Sequence, residues 1–488
     1  MLKPSEIKSF IEHDAATTRK KLAKVGQRYY EADHDIRDYR IFFINADGVL
    51  EEDKYKSNIK IRHPFFTEHV DQEVQYILSG KNGFVRSDNP ELQAELDSYF
   101  NENEDFVAEF TELLTGVISK GFDYMYAYKN EDFVTAFRCA DGMGIVEVKE
   151  NETDDHCEYL IYYYPDGFTK DNKIITRIMV WDDKQVHYFV QEGDEEIKKD
   201  KSQKQNPRPH TVYREGDAED IYYEDFGVIP FFRLDNCKKQ ISGLRPIKDL
   251  IDDYDLMACG LSNNIQDTNE ALYVVKGYEG DNLDELLTNI KAKKHIGVDS
   301  EGGVEIKTID IPYEARKTKL ELDEKNIYRF GMAFNSAQLG DGNITNVVIK
   351  SRYALLDLKC NKLEIRIKQF MRKLLKIVLK EINDANGTDY QQKDVYFAFD
   401  REIMTNASDN AQIELTDAQK QQTQIGTLLN LASYLDNETL MQNICDVLDI
   451  DYNEIKDRLP AQADPYSPQT ALDTLNGSGN PSGGGVNE

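Results

Sequence analysis

The pattern of apolar and polar positions divides the chain into helical ends and a strand-rich middle. Residues 5–31 have helical spacing. Phe66, Val70, Val74 and Ile77 recur every three or four residues and predict an amphipathic helix. Gly80, just past its end, suits a left-handed C-cap. Residues 92–116 predict a helical pair with a polar gap starting at Phe100. At 122–128 the period drops to two, with aromatics at alternate positions, as in a strand. Strand-like runs continue at 133–138, 144–148, 158–164, 174–181 and 185–190, separated by turns such as Pro165-Asp-Gly167. This predicts an antiparallel, hairpin-rich region. Residues 192–209 read as a charged solvated loop, and 227–236 as an apolar strand leading out.

A helix is expected to start at Ser242-Gly-Leu-Arg-Pro246, with Ser242 or Gly243 as cap and Pro246 in the first turn. Ile247, Leu250, Ile251, Tyr254, Met257, Leu261 and Ile265 make one narrow apolar seam, and the opposite side is Asp, Asn, Ser and Gln. Residues 272–276 (strand), 282–291 (helix) and 303–309 (strand) form a compact α/β unit too small to hold its own core. Residues 313–334 form a return helix ending at Gly331 or just beyond. A small-residue loop follows, Asn335-Ser-Ala-Gln-Leu-Gly-Asp-Gly-Asn343. Residues 345–382 contain no Pro or Gly and predict one helix of about 55 Å. Thr345 or Asn346 can cap it, and Asn386-Gly387 can stop it. Residues 394–400 read as a lone strand that rejoins the earlier β region. Residues 416–436, 438–448 and 452–459 read as short helices, and 461–488 as a disordered Gly/Ser tail.

Charge changes the picture at one place. The chain carries -30, which argues against a free-standing nucleic-acid binder. Between Lys350 and Lys380, however, ten Lys and Arg face only Asp357 and Glu364, a local +8. Arg352, Lys359, Arg366, Lys373 and Lys380 fall at seven-residue spacing, so the row drifts by only about 20° per heptad. It is either the solvated edge of a core helix or a cationic rail facing a polyanion or an acidic neighbouring subunit.

Candidate chemistry is sparse. The six cysteines are scattered without CxxC, which fits free thiols in a reducing compartment. The N-terminus does not read as a signal peptide, and no apolar run approaches membrane-spanning length. No Walker A, HExxH, EF-hand or zinc spacing occurs. The adjacent pairs Asp252-Asp253 and Asp182-Asp183 are conceivable metal ligands, but helical neighbours point about 100° apart and chelate poorly. The eight histidines form no recognisable set. The expectation is no catalytic residue, no metal and no cofactor.

The order of these elements resembles the portal proteins of tailed bacteriophages, in the family typical of siphophages of Gram-positive hosts. The likeness is carried by Tyr29-Tyr30 with His34-Asp-Ile36, and by Asn58-Ile59 with Phe66, Val70-Asp71 and Tyr76-Ile-Leu-Ser-Gly80. It continues through Gly121 with Tyr126-Ala-Tyr128, then Ile229-Pro-Phe-Phe232 with Asn236. Its sharpest stretch is Ile247-Lys-Asp-Leu-Ile-Asp-Asp-Tyr254, Ser262, Ile265-Gln266 and Ala271-Leu-Tyr-Val-Val-Lys-Gly277.

The resemblance implies an α+β portal fold. The wing of helices and antiparallel β would comprise 1–241 with returning strand 394–400. Stem helices would be 242–270 and 313–334, with a small α/β clip at 271–312. A tunnel loop at 335–346 would lead to a long kinked helix at 347–385, a wing return at 386–409, and a helical crown at 410–460. It further implies a homo-oligomeric ring, usually of twelve, at one capsid vertex of the virion, assembled in the host cytoplasm. Double-stranded DNA would pass through it without sequence recognition. Terminase, a head–tail adaptor, capsid and scaffold proteins would be partners, and no membrane would be involved. The tunnel-loop residues would be Gln338, Asp341, Asn343 and Asn346, with Lys350, Arg352 and Lys359 as phosphate or intersubunit contacts. Two other functions stay open: an acidic virion scaffold or adaptor without a channel, and a metal-dependent phage nuclease.

Overall fold

The helical spacing near the N-terminus resolves into two helices. In the computed structural model these are α1 (Pro4–Ala16) and α2 (Thr18–Tyr30), separated where the Thr17 hydroxyl accepts from Lys20 N and caps α2. The structure describes residues 1–45, 47–54, 56–151, 156–213, 222–268, 272–278, 298–307, 313–335, 346–401, 407–431 and 437–448. It falls into two units, Met1–Asn343 with Val347–Ile403, and Ile344–Asn346 with Met404–Glu488.

In the first unit, α3 (Phe65–Ile77) buries Phe66, Val70, Val74 and Ile77, as their spacing predicts. Gly80 corrects its expected role. It is not left-handed; a Cβ there would lie 2.3 Å from the Asp400 carbonyl oxygen, so the requirement is close backbone approach. α4 (Pro90–Leu96) is capped by Asn89 and runs into a single π turn that carries Phe100 into the core. The helix break therefore follows Phe100. α5 (Glu104–Lys120) continues past Gly116 and ends on Gly121, left-handed at φ +98°.

Among the described residues the strands pair antiparallel throughout. β1 (Phe42–Ile44) and β2 (Leu50–Glu52) form a separate hairpin. β3 (Val85–Arg86) awaits a distant partner. β4 (Phe122–Lys129) and β5 (Thr135–Ala140) pair directly. β6 (Ile145–Val148), β7 (Tyr159–Phe168), β8 (Ile174–Trp181) and β9 (Gln185–Glu192) make a meander. The two-residue strands β10 (Lys198–Lys199) and β11 (Arg208–Pro209) add to β9 from within the predicted loop. β12 (Thr211–Tyr213) pairs with β13 (Tyr222–Glu224), and β14 (Phe231–Asp235) joins β4. β15 (Leu272–Tyr278) and β16 (Val298–Lys307) form a hairpin pair; the helix expected at 282–291 lies outside the described residues. β17 (Tyr396–Phe397) does return, but to β3. Pro165-Asp-Gly167 is not a turn either: it is an irregularity inside β7, with Gly167 at φ +135°.

Two long connections complete this unit. α6 (Lys248–Thr268) packs against α7 (Tyr313–Gly331). α6 starts after Pro246, and Ser242 does not cap it. The Ser242 hydroxyl donates to Ser119 O (2.5 Å) and accepts from Leu244 N (3.1 Å), tying this turn to the end of α5. α8 (Asn346–Asn386) is helical over 41 residues and stops at Gly387, φ +66°. Leu363, Ile367, Phe370 and Leu374 of α8 enter the main core with Phe66, Phe110 and Leu113. A second core lies between the β4–β5–β14 sheet and the meander, around Phe122, Tyr124, Trp181 and Phe231. The second unit contains α9 (Ala407–Asn430), which starts before the predicted 416, and α10 (Asn437–Leu448), packed on each other. The helix expected at 452–459 and the tail at 461–488 lie outside the described residues.

Candidate functional site

α3 has a second face, made of Glu68, His69, Gln72, Glu73 and Tyr76 between its apolar positions. This face grips both elements that flank residues 336–345. On the upstream side, Tyr328 of α7 donates to Glu68 Oε2 at 2.6 Å. Burial and that carboxylate push the Tyr328 hydroxyl well above its ordinary range. Gly331 leaves room for His69, since a Cβ there would lie 2.4 Å from the imidazole. Gln72 reads the Phe334 backbone twice, donating to O at 2.9 Å and accepting from N at 3.0 Å. Asn335 is buried and donates to Glu324 at 3.0 Å.

On the downstream side, Tyr353 of α8 stacks on Phe334 at 4.5 Å and leans on Tyr76. The Lys359 ammonium lies 2.8 Å from Glu73 Oε2, an ionic contact rather than an aligned hydrogen bond, and donates to Gly331 O at 3.1 Å. Tyr76 also donates weakly to Asp357 (3.5 Å), and Arg401 spans Asp357 (2.7 Å), Asn361 (2.6 Å) and Glu364. His69 has no hydrogen-bond partner on either ring nitrogen among the described residues. Burial, aided by the Lys359 charge, pushes its pKa down to about 3, so it is neutral beside that cation.

The sequence-predicted residues divide accordingly. Gln338, Asp341 and Asn343 lie outside the described residues. Asn346 is the first residue of α8. Lys350 is exposed; Arg352 follows on the same helix, with its side chain outside what is described. Lys359 is turned into the chain and held by Glu73, so it is not a solvent-facing neighbour of Lys350. Further along the basic row, Arg366 is half-buried, while Lys373 and Lys380 are exposed. With Lys376 they line a cleft of about 1190 Å³ whose other wall includes Phe226, Ile229 and Phe231. The seven-residue row is therefore not one surface.

A model of the family "Phage portal protein, SPP1 Gp6-like" matches residues 9–457. The chain belongs to this phage portal family. It is similar to the portal protein of Bacillus phage SPP1, at 28% identity over 394 residues, covering 79% of this chain and 75% of that one. It is also similar to the portal protein of Clostridium phage phiCD119, at 24% identity over 433 residues, 84% of this chain and 88% of the relative. Among solved structures, a chain of the neck of a native GTA particle computed with C12 symmetry has TM-score 0.39 and 12% identity. It is matched over 80% of this chain and 90% of its own length. A chain of the neck of an empty GTA particle computed with C6 symmetry has TM-score 0.42 and 11% identity, with the same coverage. Membership of the family makes the chain a bacteriophage virion component. Among the described residues no helix is long and apolar enough to cross a membrane.

Helix α6 of this portal-family chain holds what the sequence reading missed. His34 and His63, expected to form no set, both meet Asp255, which is fully buried. Their Nδ1 atoms lie 2.6 Å from Oδ2 and 2.7 Å from Oδ1. Burial alone would raise the Asp255 carboxyl, but the hydrogen bonds from His34 and His63 outweigh it and hold it below the ordinary range. Asp255 also starts a ladder. The backbone N–H groups of His63, Ile61, Ile59 and Ser57 donate to Asp255 (3.0 Å), Cys259 (3.1 Å), Asn263 (2.7 Å) and Asp267 (3.2 Å). Every second residue of an extended segment advances about 6.6 Å and every fourth of a helix about 6 Å, so the two repeats keep register. The polar side of α6 is thus a binding face, whereas Ile265 of the predicted seam is 49% exposed. The four-residue spacing of Asp255, Cys259, Asn263 and Asp267 was the available signal.

Three carboxylates of the acidic pairs are occupied as well. Asp252 accepts from the Tyr29 hydroxyl and pairs with Lys248 (2.6 Å), and Asp253 pairs with Lys319. Asp182 caps its turn by accepting from Lys184 N and Gln185 N. Among the described residues no three His, Cys, Asp or Glu are grouped to hold a metal.

Proposed function

We propose that copies of this chain assemble into a closed ring, of twelve, at one capsid vertex. Double-stranded DNA passes through its centre during packaging and ejection. The ring is a non-enzymatic conduit that docks terminase, the head–tail adaptor, and capsid and scaffold proteins, after assembly in the host cytoplasm. Residues 336–345, with Gln338, Asp341 and Asn343, line the narrow point, and exposed Lys350 contributes passing phosphate contacts. Few such contacts and a net charge of -30 keep DNA sliding, because many would make binding tight and salt-dependent.

The observation that carries this reading is the anchoring of both flanks of 336–345 on one face of α3. Both roots are thereby tied to one helix, which supports a shared functional role for the span between them. The test has two stages. Electron microscopy and native mass spectrometry of the purified chain are expected to give closed rings with a through-hole; persistent monomers, or rings without a hole, overturn the proposal. Replacing 336–343 by a shorter linker, with Asn335 and Asn346 kept, is expected to leave ring formation intact and depress DNA packaging. Undiminished packaging removes the segment's role.

A further inference from the structure

The β1–β2 hairpin is built like a projecting arm. Its base is fixed from both sides, because His34 before it and His63 after it are held by the same buried Asp255. Lys60 Nζ donates to Arg37 O at 2.7 Å and closes the base further. Its tip is equally well made. Asn45 Oδ1 accepts from Asp47 N (3.0 Å) and Val49 N (2.9 Å), and Gly48 takes φ +76°. Yet all six strand residues are exposed, Phe42 by 53%, Ile44 by 71% and Leu50 by 64%. A two-stranded ribbon is marginal in water without a surface beneath it, and an apolar patch of this kind marks a contact.

A matching face lies on α8. Leu355, Leu358 and Ile365 are 44%, 63% and 62% exposed, although the same helix buries Leu356, Leu363, Ile367, Phe370 and Leu374. With exposed Lys362 they follow the 3, 4, 3 spacing of a narrow stripe on one side of a helix. The stripe spans about 15 Å, and a three-residue strand about 10 Å, so the sizes agree. The charges are complementary. Residues 41–53 carry Asp47, Glu51, Glu52 and Asp53 with no Lys or Arg, whereas residues 355–368 around the stripe carry Lys359, Lys362, Arg366 and Lys368 against only Asp357 and Glu364.

We infer that the hairpin of one copy seats on the Leu355–Leu358–Ile365 stripe of a second copy. Both faces are exposed within a single chain, so neither covers the other there. A contact between two different patches is heterologous, and it closes into a ring when the rotation permits. The inference therefore rests on the ring reading above and names which surfaces make its contact.

The test uses the full chain in two forms, Ile44→Cys and Leu358→Cys, mixed before assembly and mildly oxidised, with the parent chain as control for its own thiols. A disulfide-linked dimer is expected only in the mixture. Separately, Ile44→Asp with Leu50→Asp is expected to lower the assembled fraction about tenfold at a concentration where the parent is fully assembled, with an unchanged circular dichroism spectrum. Parent-like assembly of the aspartate variant, or rings without the mixed disulfide, overturns the arm and leaves the ring reading standing. A parent chain that never associates overturns both.

Discussion

Helices α3 and α6 each present a ladder of polar side chains, but they grip their partners differently. α3 holds the flanks of 336–345 largely through particular side chains: Tyr328 on Glu68, the missing Cβ of Gly331 on His69, and Lys359 on Glu73. α6 holds Ser57–His63 mainly by the backbone of that segment, and the His63 ring adds a side-chain bond. A side-chain grip fails when either partner changes. A backbone grip tolerates most changes in the strap and fails only from the helix side.

The largest expected effect falls on α3. Lys359→Met leaves Glu73 buried without its cation and is expected to cost about 3 kcal/mol in denaturant unfolding of the described unit. A loss under about 0.5 kcal/mol would put the α3 grip elsewhere. Asp255→Ala removes the acceptor of His34, His63 and one strap N–H and is expected to cost about 2 to 3 kcal/mol by the same measurement.

Acid is expected to separate the two helices further. His69 is held at about 3 when folded and returns to about 6.5 when unfolded. The unfolded chain therefore binds the extra proton first. The stabilising contribution is complete above about pH 6.5 and is lost as pH falls towards 3. Between pH 6.5 and 5 the loss is about 2 kcal/mol, and His69→Phe is expected to flatten that slope. The smallest effect belongs to the strap. Ile61→Ala keeps the N–H that meets Cys259 and removes a side chain that is 42% exposed, so under about 0.5 kcal/mol is expected. A loss above about 1.5 kcal/mol would show that the strap is held by its side chains after all.

What the sequence revealed follows the same division. Phe66, Val70, Val74 and Ile77 announced α3 because burial imposes a period on apolar residues. The long helix and the alternating strands were legible for that reason too. Glu68, Gln72 and Glu73 carried no such mark, since polar residues on a solvated face and on a gripping face look alike. The strap was invisible because its donors are backbone groups that every non-proline residue has. β3 escaped notice because two residues show no period. Local turn chemistry misled where tertiary contacts won. Pro165-Asp-Gly167 was absorbed into β7, and Ser242 was claimed by the Ser119 carbonyl before it could cap α6. Of the named loop residues, only Asn346 falls where the structure describes the backbone, as the start of α8.

One consequence of the α3 face concerns how such a molecule can change over generations. Both elements that flank 336–345 dock on the thirteen residues of a single helix, so one short stretch of sequence answers for two long ones. A change at Gly331 or Gln72 would therefore unsettle the seat of α7, and through Phe334 and Tyr353 that of α8, so drift at these two positions is expected to be slow.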